Sequence, residues 1–96
     1  MLERTENILT MAYKPGDRVG AIFNSDPETV RMFGWGVYDG ELPCPHIGGR
    51  NNPRITLDDG AGIVWGCESW WGDETKMRAW IGKRKIQLVD REGKDR

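Results

Sequence analysis

Ninety-six residues make one domain, and a chain of this size buries only about 60–65 per cent of its unfolded surface, so a second domain has no room. Fourteen basic residues stand against fifteen acidic ones, which leaves no global field to draw in a polyanion and disfavours a dedicated nucleic-acid binder. The apolar runs fall far short of the roughly 20 residues of a membrane span, the N-terminus lacks the apolar block of a secretory signal, and two cysteines make no disulfide framework, so a cytoplasmic chain with reduced thiols and no membrane partner is expected.

Residues 1–12 carry Leu2, Ile8 and Leu9 among Glu3, Arg4 and Glu6, a weak helical pattern without a convincing cap. They read as a flexible N-terminal arm, with the domain itself covering 13–90. Lys14-Pro15-Gly16-Asp17 is a turn by residue chemistry. A strand is expected over 18–23, with Val19, Ala21 and Phe23 inward. Asn24-Ser25-Asp26-Pro27-Glu28 is a polar loop, and a long strand follows over about 30–41. In that strand Phe33, Trp35 and Val37 alternate with Gly34, Gly36 and Tyr38, so one face is large and apolar and the other is bare enough for a backbone or a ligand to approach.

Residues 42–53 hold Pro43, Pro45, Gly48, Gly49, Asn51, Asn52 and Pro53, too much punctuation for regular structure, and read as a mobile loop. A third strand is expected over 54–58, and Asp58-Asp59-Gly60-Ala61-Gly62 is a hairpin signal. It leads into the densest stretch of the chain, Ile63-Val64-Trp65-Gly66-Cys67-Glu68-Ser69-Trp70-Trp71. Each tryptophan can remove about 150–250 Å² from water, so this stretch anchors the core, presents a sticky surface, or does both. Taken as one strand, Ile63, Trp65 and Cys67 share a face while Val64, Glu68 and Trp70 share the other. A short helix then begins with Asp73 as cap and Glu74 at the positive end of the dipole, places Met77, Trp80 and Ile81 on one face, and stops at Gly82. The last strand is expected over 85–89, with Ile86 and Leu88 on one face. Residues 91–96 form a charged tail with too little apolar area to order itself.

The order is strand, long strand, strand, strand, helix, strand: a mainly β chain. Gly16-Asp17-Arg18-Val19, the hairpin at Asp59-Gly60 and the closing Ile86-Gln87-Leu88 give residues 14–90 an outline that resembles the SH3-like small barrels, Tudor and KOW types among them. The resemblance implies a five-stranded barrel with the helix before its last strand. The Gly-Asp-Arg-Val opening also looks like that of the type II dihydrofolate reductases, small barrels that act as tetramers, although their pore-lining Val-Gln-Ile-Tyr segment has no counterpart here. The pairing of Gly34-Trp35-Gly36-Val37-Tyr38 with the tryptophan stretch is similar to uncharacterised phage or mobile gene-cassette proteins, a likeness that implies no mechanism.

Several groupings carry candidate chemistry. Trp35, Trp65, Trp70, Trp71 and Tyr38 could form an aromatic cage for a cation or planar ligand, or simply fill a small core. Trp35 and Trp65 suit the core, whereas adjacent Trp70 and Trp71 cannot both point inward on a strand. Cys44, His46 and Cys67 are zinc-ligand types, but a closed site needs a fourth ligand, so no metal and no cofactor is expected. A nucleophilic role for Cys67 is disfavoured, because neighbouring Glu68 raises rather than lowers a thiol pKa. Arg78, Lys83, Arg84 and Lys85 could touch phosphates, yet a cationic run after a helix also suits the negative end of its dipole. The candidate ligand or interface set is Trp70, Trp71, Tyr38 and Trp35, with Glu68 beside them and His46 on the loop rim. The expected function is a non-catalytic binding module that self-associates, with a dimer favoured and a protein or small-molecule ligand admitted. A small oligomeric enzyme with its site between subunits is one alternative, and an RNA-associated barrel a second.

Overall fold

A computed structural model describes residues 13–96; the arm expected over 1–12 lies outside the described residues. Six strands and one helix follow in order: β1 (Arg18–Ser25), β2 (Thr29–Pro43), β3 (Asn51–Leu57), β4 (Gly62–Trp65), β5 (Trp70–Asp73), α1 (Glu74–Ile81) and β6 (Lys85–Leu88). The chain is mainly β, with the helix before the last strand. The sheet runs β4-β3-β2-β1-β5, all antiparallel, and β6 adds in parallel along residues 29–32 of β2. β4 and β5 stand at the two ends of that order, so the sheet is open rather than a closed barrel.

The tryptophan stretch is not one strand. Gly66–Glu68 is a single turn of 3-10 helix, stabilised because its short polar side chains bond the local backbone in preference to a ladder. Glu68 accepts from the Trp65 amide at 3.0 Å, and the Ser69 hydroxyl donates to the Trp65 carbonyl at 3.1 Å. Gly66 is needed there, since a β-carbon would lie 2.9 Å from Trp71 Nε1 and 3.0 Å from Pro53 Cγ. The turn sends the chain from one end of the sheet to the other, so five strands are complete by Asp73, and α1 and β6 are additions. Within β4, Trp65 is buried while Ile63 is exposed, although the simple alternation put them on one face.

The proline-rich segment also departs from expectation. β2 runs on to Pro43 and β3 begins at Asn51, paired through Glu41↔Pro53, Leu42↔Asn52 and Pro43↔Asn51. Both prolines sit where each strand has only one neighbour, and an edge segment needs no second ladder donor. Only 44–50 remains a loop, built on a 3-10 turn with Pro45 at its start and Gly48 in the left-handed region (φ 70°).

Two apolar layers flank the sheet. One holds Val19, Ala21, Phe33, Tyr38, Ile55, Leu57, Val64 and Val89, and the other joins Ile22, Val30 and Met32 to Met77 and Ile81 of α1, with Trp35 against them. Ile22 lies in the helix-side layer, opposite in face to Val19 and Ala21, and the β1/β2 register shifts just beyond it: Ile22 pairs with Met32 and Asn24 with Arg31. The skipped Phe23 and Phe33 meet edge to face at 5.6 Å, and Phe23 remains exposed. The bare face of β2 is used by backbone, as a β-carbon on Gly36 would lie 2.3 Å from the Thr56 carbonyl oxygen. Asp73 caps α1 by accepting from the Lys76 amide at 2.9 Å, and the Gly82 amide closes it on the Arg78 carbonyl.

The tail expected to lack order instead turns back on the end of β6. Asp90 accepts from the amides of Glu92 and Lys94, Val89 bridges to Asp95, and the Arg96 amide donates to the Leu88 carbonyl. Backbone pairing and the Asp90 turn order it without apolar burial.

Candidate aromatic cleft on strand β5 and helix α1

β5 is four residues long and pairs Trp70 with Ile22, Trp71 with Ala21, Gly72 with Gly20 and Asp73 with Val19. Strand alternation sends its two tryptophans to opposite faces. Trp71 turns to the first layer, where its ring stacks on Tyr38 at 5.4 Å and 9° and meets Tyr13 at 4.7 Å. Trp70 turns to the helix side and meets Trp80 edge to face at 4.6 Å and 88°. Trp70 stays 55% exposed and Trp80 41%. Beside them lies a cleft of about 260 Å³ lined by Tyr13, Trp70, Trp71, Asp73, Lys76 and Trp80.

The walls of this cleft are held from behind. Tyr38 is buried, and its phenol donates to Glu41 at 3.1 Å; burial first, and that bond second, push its pKa up, so it stays a neutral stacking plate. The Tyr13 hydroxyl accepts from the Asp73 amide at 3.2 Å. The Arg84 guanidinium lies 4.0 Å over the Trp80 ring while donating to the Trp80 and Ile81 carbonyls. Pre-positioned aromatic rings lose little conformational freedom when a partner arrives.

The six expected site residues fall into three places. Trp70 and Trp71 line the cleft with Tyr38 behind them. Trp35 is half-buried on the helix face, with the Arg78 guanidinium 3.9 Å over its ring, so that aromatic face is already occupied. Glu68 and His46 meet elsewhere, 3.7 Å apart, both bonded to Arg91. No single cage collects the five tryptophans and Tyr38. Of the three residues expected on one face of α1, Met77 and Ile81 are buried while Trp80 opens to solvent. Tyr13 was not singled out by the sequence, and only its place just before a tight turn hinted that it could fold back on a neighbour.

The thiols are both free; Cys44 is buried and Cys67 exposed. Loss of solvent, reinforced by Cys44 and Glu68, pushes the Cys67 thiol up, away from a reactive thiolate. Among the described residues no three His, Cys, Asp or Glu side chains gather as a metal site. Arg78 pairs with Glu74 at 2.7 Å and lies on Trp35, and Arg84 binds carbonyls, so two of the four candidate phosphate contacts are engaged within the fold. No described helix is long and apolar enough to cross a membrane. No family model, curated protein or solved structure matches the chain.

Proposed function

We propose that this chain is a non-catalytic binding module whose aromatic cleft docks a second copy of itself. The observation that carries the reading is the exposed Trp70–Trp80 pair beside an open cleft on a rigid edge strand. Exposed large apolar groups that cluster mark interaction surfaces, and tryptophan is the residue most enriched among binding hot spots. The cleft volume, about 260 Å³, lies below the roughly 300–1,000 Å³ of small-molecule pockets, which favours an inserted side chain. A two-fold interface needs knob and hole on one surface, and Trp70 projects beside the hole it would fill on a partner. The strand order β4-β3-β2-β1-β5, with one 3-10 turn before the strand that returns to β1, supports an SH3-like relationship. Two unpaired thiols are in keeping with a cytoplasmic setting.

The test is Trp70→Ala followed by sedimentation and by urea unfolding. The proposal expects a variant that stays folded and no longer assembles. Unchanged assembly would remove the cleft as the interface, and global unfolding would make Trp70 part of the core.

A further inference from the structure

At the opposite end of the sheet, the gap between the β3–β4 hairpin and the C-terminal turn holds a second cavity of about 350 Å³. Phe33, Leu57, Val64 and Val89 of the first apolar layer form its floor, and Ala61 stands at its side. Asp90, Arg91 and Arg96 line the same cavity. From this juxtaposition of an apolar chamber and guanidinium groups we propose a binding site for a small monocarboxylate with an apolar body. The site is separate from the aromatic cleft and does not depend on its role.

The size lies at the lower end of small-molecule pockets. At roughly 30 Å³ per water-sized group, the chamber takes about ten non-hydrogen atoms, the size of a medium-chain or aryl-alkyl acid. Arg96 supplies the head-group contact. One of its N–H groups donates to the Phe33 carbonyl at 2.8 Å, which holds the guanidinium at the chamber wall, and a guanidinium has five donors in a fork suited to a carboxylate. Glycine at position 34 makes room for this reach, because a β-carbon there would lie 3.0 Å from Arg96 Nη2. Arg91 is tied to Glu68 and His46 and adds a second, partly neutralised cation. The Asp90 carboxylate accepts two backbone amides of its own turn, and its repulsion of a second carboxylate directs the ligand head toward Arg96. A neutral amphiphile of equal length gains the same apolar burial but leaves the fork unpaired, so the charge on the head decides affinity.

The experiment titrates the ¹⁵N-labelled full chain with octanoate, octan-1-ol and octylamine and follows the amides of Leu57, Val64, Val89 and Arg96. Octanoate is expected to give saturable shifts at these positions, with octan-1-ol about tenfold or more weaker and octylamine weaker still, as befits loss of a charge-assisted hydrogen-bond pair. Arg96→Gln should weaken octanoate about tenfold or more while leaving octan-1-ol unchanged. Ala61 has an ordinary right-handed backbone (φ −72°, ψ −7°), so Ala61→Leu fills the chamber without strain and should abolish binding of both. No saturable shift with octanoate, equal affinity for octanoate and octan-1-ol, or shifts centred on Trp70 and Trp80 would each overturn the assignment. The comparison of head groups uses the unaltered chain, so it stands even if a variant fails to fold.

Discussion

Replacing Gly20 by alanine tests how α1 is seated, and with it the position of Trp80. Gly20 lies in the middle of β1, opposite Gly72 of β5, and a β-carbon there would fall 2.6 and 2.7 Å from two ring carbons of Trp35 and 3.0 Å from Met77 Sδ. The ring cannot retreat freely, because Arg78 covers it at 3.9 Å. Either the indole tilts or the helix lifts. Forcing a methyl into a filled space costs about 1–3 kcal/mol, while alanine returns about 0.4–1 kcal/mol by restricting the unfolded chain. The net expectation is a loss of about 1–2 kcal/mol, and each kcal/mol lowers the melting temperature of a domain this size by about 4–8 °C. Urea unfolding of Gly20→Ala in the native chain and in a Trp35→Leu background measures the clash directly. The two substitutions should couple by about 1 kcal/mol or more, because the shorter leucine vacates the space. A Gly20→Ala chain as stable as the native one, or an equal loss in both backgrounds, would refute this packing.

Two further outcomes follow from charge and thiol chemistry. Arg18 grips Asp58 with two bonds of 2.8 and 2.6 Å and Glu74 with one of 3.0 Å; Arg18 holds the Asp58 carboxyl below its usual range, and Arg78 first and Arg18 second do the same for Glu74. Carboxylates depressed on folding contribute stability that is present above their unfolded pKa and lost as pH falls through the folded value. Unfolding followed from pH 6 to pH 3 should therefore show a steeper acid loss for the native chain than for Arg18→Gln, with a difference near neutrality of only about 0.5–1 kcal/mol, since both partners are substantially exposed; identical pH profiles would contradict the network. Cys67 should alkylate slowly with iodoacetamide at pH 7 despite its exposure, and speed up above the ordinary thiol range, because its thiol is pushed up. Rapid labelling at neutral pH would contradict that environment.

The features legible in the sequence were those fixed locally. Asp73 and Gly82 bound the helix because a cap and a stop act within one turn, and the Asp59-Gly60 hairpin rests on its own turn chemistry: Asp59 itself sits at φ 61°. Three things were hidden because tertiary pairing decides them. The register shift beyond Ile22 skips Phe23 and leaves it exposed beside Phe33, the Glu68 and Ser69 side chains break the tryptophan stretch in two, and single-sided pairing lets Pro43 and Pro53 end strands. The site divided along the same line. Trp70 and Trp71 were placed by the rule of alternation, whereas Tyr13 and Trp80 join them only through the return of β5 to β1 and the seating of α1 against it, and Glu68 and His46 meet at Arg91, outside the lining of the cleft.

Docking of a second copy on the Trp70–Trp80 surface, as proposed above, makes the mass of the native chain depend on its concentration. Light scattering of the native chain across a concentration series tests it most directly. The mass should rise toward twice 10.9 kDa as concentration increases. A mass that stays at one chain throughout the series would contradict it.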